Sequence, residues 1–128
     1  MNSRILVIDD SSTMRRILRF TLAKIGFNQV TEASGGLEAL KLITAAPYPA
    51  EPLFDCILTD WNMPDFDGLS LLRKIRENPV YTGTPVIMIT TEQSQEDVIL
   101  AMRSGCNAYI VKPFSPEILK AKIFGVLK

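Results

Sequence analysis

Four short apolar runs in this chain each end on a polar side chain drawn from one chemical set, and that recurrence limits the folds open to it. Ile5-Leu6-Val7-Ile8 stops at Asp9-Asp10, Cys56-Ile57-Leu58 at Thr59-Asp60, Val86-Ile87-Met88-Ile89 at Thr90-Thr91, and Tyr109-Ile110-Val111 at Lys112-Pro113. Continuous apolar runs of this length suit strands buried on both faces. If they lie parallel, their carboxyl ends share one edge, where open α/β sheets hold their ligands. Three acids, a hydroxyl and an amine then meet in one pocket.

Between the runs the spacing is helical. Met14, Ile17, Leu18, Leu22 and Ile25 fall on one face of a first helix, with Arg15, Arg16, Arg19 and Lys24 on the other and Ser11 or Ser12 as cap. A second helix is predicted from about Gly36 to Ala46, with Leu37, Leu40 and Ile43 inward, before Pro47, Pro49 and Pro52 impose a long loop. The third carries Leu69, Leu72 and Ile75; the fourth opens at Ser94, puts Glu96 and Asp97 in its first turn and stops at Gly105. The last is capped by Ser115, starts at Pro116 and presents Ile118, Leu119, Ile123, Val126 and Leu127. Val30, flanked by Gln29 and Thr31, marks the weakest strand, inferred from the gap it fills. Strands alternating with amphipathic helices predict an α/β fold, a doubly wound parallel sheet covered on both faces. A chain of 128 residues fits one domain spanning 1–128.

Composition removes several function classes. Lys+Arg and Asp+Glu each total 14, so no overall field draws the chain to nucleic acid or to an anionic membrane. The absence of histidine excludes imidazole-based triads, His-ligated zinc and a self-made phosphohistidine. Cys56 and Cys106 lack metal-ligand spacing and read as small buried hydrophobes in a reducing compartment. The N-terminus offers neither a signal-peptide core nor a membrane span, so a cytoplasmic location is expected.

The chemistry lies in the strand-end set. Asp9, Asp10 and Asp60 would crowd three negative charges into one crevice, which calls for a cation among their oxygens. Mg²⁺ suits such a site, because it takes one or two carboxylates together with waters and phosphate oxygens. Asp60 is the candidate nucleophile for an aspartyl-phosphate, with Lys112 and the Thr90 hydroxyl facing the incoming phosphoryl oxygens. Two look-alikes fail. Asp65-Phe66-Asp67-Gly68 resembles part of a calcium loop, but its register puts Met63 and Lys74 at the outer ligand positions. A turn and cap before the third helix is the expected role of Asp65 and Asp67. Gly35-Gly36 lacks the Lys-Ser/Thr of a nucleotide loop and is expected only to relax the entry to the second helix.

Ser12-Thr13-Met14-Arg15-Arg16, Gly26-Phe27-Asn28, Asp60-Trp61-Asn62-Met63-Pro64 with Asp67-Gly68, and Lys112-Pro113-Phe114 occur in an order that is highly specific. Over essentially its whole length the chain resembles the receiver domain of two-component response regulators, and most of all the free-standing chemotaxis type. The resemblance implies a flavodoxin-like sheet of order 2-1-3-4-5 with five helices. It implies that Asp60 takes a phosphoryl group from the phosphohistidine of a separate sensor histidine kinase. Mg²⁺ would be held directly by Asp10 and Asp60, through water by Asp9, and by the backbone carbonyl of Asn62. Lys112 would pair with the phosphoryl oxygens, and its bond to Pro113 would be cis. Thr90 and Tyr109 would act as the switch, altering the face made by the fourth helix, fifth strand and fifth helix.

In that family the positions of Asn62 and Glu92 tune phosphate lifetime. Thr91 departs from the alanine of the chemotaxis type and bears on the same lifetime, and the Pro47 to Pro52 loop is longer than expected. The implied protein is a monomeric signalling phosphoacceptor rather than an enzyme, with the flagellar motor switch as output partner. Alternatives are a phosphorelay intermediate, a single-domain regulator of another enzyme, or a metal-dependent phosphatase. A flavin binder is disfavoured, since Asp9 and Asp10 would repel the cofactor's phosphate.

Overall fold

The computed structural model of the protein describes residues 2–44 and 52–127. Its strands are β1 (Arg4–Ile8), β2 (Gln29–Ala33), β3 (Cys56–Thr59), β4 (Val86–Thr90) and β5 (Ala108–Val111). The helices between them are α1 (Ser12–Ile25), α2 (Gly36–Thr44), α3 (Gly68–Glu77), α4 (Gln95–Arg103) and α5 (Pro116–Val126), with a 3-10 turn at Pro79–Tyr81. All strand pairs are parallel, and the order across the sheet is β2-β1-β3-β4-β5. The chain passes from β1 to β2 on one side and then crosses from β2 to β3 on the other side of β1, which makes the boundary between β1 and β3 the topological switch point.

Alternation along each strand divides the core in two. Leu6, Ile8, Ile57 and Met88 join Ala39, Ile43, Leu72, Ile75 and Ala101 on one face, under α2, α3 and α4. Ile5, Val7, Leu58, Ile87 and Ile89 join Leu18, Leu22, Leu119 and Ile123 on the other, under α1 and α5. The central strands β1, β3 and β4 are therefore buried on both sides, as their unbroken apolar sequences require, while the edge strand β2 leaves Gln29 and Thr31 exposed.

Side-chain caps end the helices where the sequence places them. Ser11 accepts the Met14 amide, Ser94 that of Asp97 and Ser115 that of Ile118, while Gly26 closes α1 with a φ of 114°. Arg76, in the last turn of α3, donates to the carbonyls of Tyr81, Thr84 and Gly105 and to Asn107 Oδ1, at 2.7–3.0 Å. That guanidinium fastens the edge of the sheet opposite the strand ends of interest. Cys56 and Cys106 are buried free thiols, and burial pushes the Cys56 thiol up to about 12.

Three inward expectations fail. Ile17, Leu37 and Ile118 are 45 %, 48 % and 48 % exposed. In α1 the buried stripe is Leu18, Thr21 and Leu22, and Thr21 satisfies its hydroxyl on the Ile17 carbonyl, leaving Ile17 at the stripe's margin. In α2 the small residues Gly36 and Ala39 turn inward with Ile43, because the Phe66 backbone lies so close that a Cβ on Gly36 would overlap it. α5 buries Leu119 and Ile123, one helical turn apart, and Ile118 lies beside that line. Residues 45 and 46 of the predicted second helix, and the proline-bearing loop up to residue 51, lie outside the described residues.

Salt links on β1 and β2 contribute to the response to acid. The guanidiniums of Arg19 and Arg15 bond Glu32 and hold its carboxyl below the ordinary value of 4.5 against the opposing effect of burial. Arg4 does the same for Asp55, below 3.8. A depressed folded-state pKa contributes stability that is complete above the unfolded value and disappears as pH falls through the folded one. The midpoint of urea unfolding is expected to stay level from pH 7 to about 5 and to decline below that. Glu32→Gln, measured over the same series, should flatten part of the decline.

Candidate functional site

Backbone rungs continue past the strands and fix the acids. The Asp9 amide donates to the Ala33 carbonyl at 3.2 Å, the Asp60 amide to that of Ile8 at 3.0 Å and the Lys112 amide to that of Thr90 at 2.9 Å. Asp9, Asp60 and Lys112 are thus set by the ladder itself, not by loop conformation.

Within the pocket each oxygen has a defined role. Lys112 Nζ lies 2.8 Å from Asp9 Oδ2 and 3.1 Å from Asp60 Oδ2, bridging the two. Asp9 Oδ1 accepts the Ser11 amide at 2.9 Å. Asp60 Oδ1 accepts the amides of Trp61 and Asn62 at 2.7 and 3.4 Å. Asp9 is buried, Asp60 is 9 % exposed, and Asp10 faces solvent at the rim. Burial alone would pull the Lys112 ammonium down, but its hydrogen bond to Asp9 and the charges of Asp60 and Asp9 outweigh it and hold its pKa above 10.5.

Carboxylate oxygens from Asp9, Asp10 and Asp60 lie within 4.8 Å of one another. Three carboxylates against one ammonium leave two negative charges uncompensated, and all the donors are hard oxygens. That set fits a small dication such as Mg²⁺.

The remaining candidates form a second cluster beside the first. Thr90 is fully buried, and its hydroxyl accepts the Glu92 amide at 3.3 Å. Asn62 Nδ2 donates to Glu92 Oε2 at 2.7 Å, so the two positions assigned to phosphate lifetime touch each other. The Tyr109 hydroxyl donates to the Glu92 carbonyl at 2.7 Å. Burial, with the charges of Asp97 and Glu92 adding to it, pushes that phenol up to about 12. Tyr109 is half-buried, with its hydroxyl anchored on the Glu92 backbone. Thr91, which follows Thr90, is exposed. The Lys112–Pro113 bond is cis, as the resemblance implied.

Two groups escaped the sequence reading. Asp67 caps α3 as expected, accepting the Ser70 amide at 2.8 Å, but Asp65 caps α2 instead, taking the amides of Gly36 and Leu37 at 3.2 Å each. Gly35-Gly36 accordingly permits the close approach of that loop and does more than loosen a helix entry. Arg15, placed by its spacing on the face of the first helix opposite the apolar stripe, reaches the Asp9 carbonyl at 2.6 Å and Glu32 at 3.0 Å. The one available signal was Glu32, an acid on the strand beside Asp9.

On the flank, Val98 and Met102 of α4, Tyr109 and Val111 of β5, and Ala121 and Lys122 of α5 line an open groove of ≈ 560 Å³. No helix among the described residues is long and apolar enough to cross a membrane.

A 2-1-3-4-5 parallel sheet with an acid triad and a lysine at its switch point defines a signalling α/β domain of the receiver class. Residues 5–124 match the family model of the response regulator receiver domain, and the chain belongs to that family. A chemotaxis protein CheY homolog of Campylobacter jejuni is 46 % identical over 124 residues, covering 97 % of this chain and 92 % of that one. Chemotaxis protein CheY1 of Helicobacter pylori is 45 % identical, covering 97 % and 96 %. The solved structure of the chemotaxis response regulator CheY4 of Vibrio cholerae superposes with a TM-score of 0.86 at 34 % identity, covering 99 % of this chain and 100 % of that one.

The Asp60 loop depends on one close contact. A Cβ on Gly68 would overlap the Asp60 carbonyl, and the Gly68 amide donates to the Trp61 carbonyl at 2.8 Å. Gly68→Ala is expected to cost about 1–3 kcal/mol, the usual range for overpacking a closed site. Urea unfolding with an unchanged m-value would show it; an unaltered midpoint would mean the loop can yield.

Proposed function

We propose that this chain is a stand-alone response regulator in which Asp60 accepts a phosphoryl group. The observation that carries the reading is the pairing of Lys112 with Asp60 Oδ2 beside an acid cluster carrying two uncompensated negative charges. Asp60 Oδ2 attacks the phosphorus of a kinase phosphohistidine, the P–N bond breaks, and the electron pair leaves with the imidazole nitrogen. An acyl phosphate on Asp60 results. Asp10 and Asp60, with the Asn62 carbonyl and a water held by Asp9, would hold Mg²⁺, which neutralises charge on the phosphoryl oxygens when bound. Lys112 keeps its proton throughout, since its pKa is raised, and pairs with the new phosphoryl oxygens. The Thr90 hydroxyl can accept the Glu92 amide and still donate its proton toward them.

The signal then passes along bonds already described. A pull on Thr90 acts on Glu92, which Asn62 and Tyr109 also hold, and Tyr109 lines the groove between α4, β5 and α5. That groove is the output surface in this reading. Relatives named as chemotaxis proteins support a motor-switch partner for it, and a histidine kinase as phosphodonor. The chain acts in the cytoplasm as a monomer and meets neither nucleic acid nor membrane.

Incubation with acetyl phosphate and Mg²⁺, followed by intact-mass measurement, should add one phosphoryl group to the wild type. The addition should vanish with EDTA and in Asp60→Asn. Equal labelling of the Asn variant would move the chemistry to another residue, and many turnovers per chain would make the protein a phosphatase.

A further inference from the structure

Asp9 and Asp10 are joined by a single peptide unit, and the plane of that unit sets the directions in which both side chains leave the backbone. The peptide unit before it, Ile8–Asp9, is fixed by the ladder, its Asp9 amide donating to the Ala33 carbonyl. The carbonyl oxygen of the Asp9–Asp10 unit is held from outside the pocket by Arg15 Nη1, at 2.6 Å. Arg15 is in turn held: Nε bonds Glu32 Oε1 at 3.0 Å, the other Glu32 oxygen takes Arg19 Nε at 2.8 Å, and Arg19 Nη2 reaches the Val30 carbonyl at 2.8 Å. Glu32 sits on β2 in register with Val7, two residues before Asp9. A continuous set of charge-assisted bonds therefore runs from the edge strand to the peptide between two of the three acids.

We propose that Arg15 is a positioning residue for the divalent-cation site, fixing the Asp9–Asp10 peptide plane while Glu32 and Arg19 fix Arg15. The inference rests on the Mg²⁺ reading above. Asp9 is additionally tied by Lys112 and the Ser11 amide, but Asp10 stands exposed at the rim, so its direction comes from the backbone. Released from Arg15, that peptide can rotate and carry the Asp10 carboxylate away from Asp60. A metal site loosened in this way loses affinity, as sites do when an outer partner is removed.

The sign of the effect separates this role from simple charge. Arg15 is a cation near an acid cluster, so through-space electrostatics alone makes its removal tighten Mg²⁺ binding. Positioning makes removal weaken it. Trp61, the sole tryptophan, follows Asp60 directly and reports on the site by fluorescence. Mg²⁺ is titrated at constant ionic strength into wild type, Arg15→Gln, Arg15→Lys and Arg16→Gln, at a temperature where metal-free thermal unfolding shows all four folded. Arg15→Lys keeps the charge and the aliphatic stem but loses the planar fork. Arg16, an exposed neighbour on α1, is the charge control.

Both Arg15 variants are expected to raise the half-saturating Mg²⁺ concentration roughly tenfold, the lower end of the range for a lost outer partner. Arg16→Gln should leave it level or slightly lower. At saturating Mg²⁺, phosphoryl uptake from acetyl phosphate should return to within about twofold of wild type, as a purely affinity-based defect requires. Unchanged or tighter Mg²⁺ binding in both Arg15 variants, with normal binding in wild type, overturns this inference alone. A wild type that binds no Mg²⁺ overturns the functional reading along with it.

Discussion

The site depends on one ammonium held between two carboxylates. Parallel pairing of β1 with β3 carries Asp9 and Asp60 to the same edge, where their amides serve as ladder donors. The backbone of neither acid can shift toward solvent without breaking a rung of the sheet. Two carboxylates so confined repel each other, and Lys112, delivered by β5 from across β4, removes that repulsion by reaching both. Taking one partner from such a buried set leaves a charge without compensation, which costs several times what the pair contributes. The fold thus brings the acids together, and the lysine makes their proximity tolerable.

Electrostatic balance stops short of neutrality, and the shortfall has chemical meaning. With Asp10 included, two negative charges remain over, the charge of one dication. Under the proposed function an arriving phosphoryl group brings further negative charge, which only a pocket already holding the dication can receive. Lys112 is then able to serve in both states. It bridges carboxylates before transfer and faces phosphoryl oxygens after it, without changing protonation. The route outward is equally short. Asn62, two residues after Asp60, bonds Glu92, and Glu92 receives the Tyr109 hydroxyl, so two bonds separate the acid loop from the groove on the α4 flank.

Features that repeat along the chain were legible in its sequence. Apolar runs reported doubly buried strands, their terminal residues reported the pocket, and Ser11, Ser94 and Ser115 reported helix starts, because each is a local rule applied at a local place. Contacts between distant segments were not legible. Asp65 belongs by sequence to the turn before α3, yet its carboxylate caps α2, since two glycines let that loop approach the α2 amides. Arg15 reads as the polar side of an amphipathic helix, and nothing in the helical period reveals that its fork turns back to the end of β1. Ile17 and Leu37 fit the period as well as their buried neighbours do. Which of several adjacent apolar residues a helix buries is decided by how closely the sheet and the β3–α3 loop approach.

These long-range contacts share a direction. Asp65 ties the Asp60 loop to α2, Arg15 ties the Asp9–Asp10 peptide to β2, and Gly68 admits the Asp60 carbonyl at van der Waals range. Each constrains backbone next to an acid, and none touches the pocket's interior. Under the proposed function the site accepts a cation and a phosphoryl group in turn, so bonds to the receiving oxygens can supply only part of its rigidity. The rest has to come from behind, through the peptide units that carry those side chains, so that the carboxylates stay oriented while their outward lone pairs stay available. Inside the pocket backbone amides hold Oδ1 of Asp9 and Asp60, and Lys112 holds the two Oδ2 atoms, where under the proposed function a phosphoryl oxygen takes over its bonds.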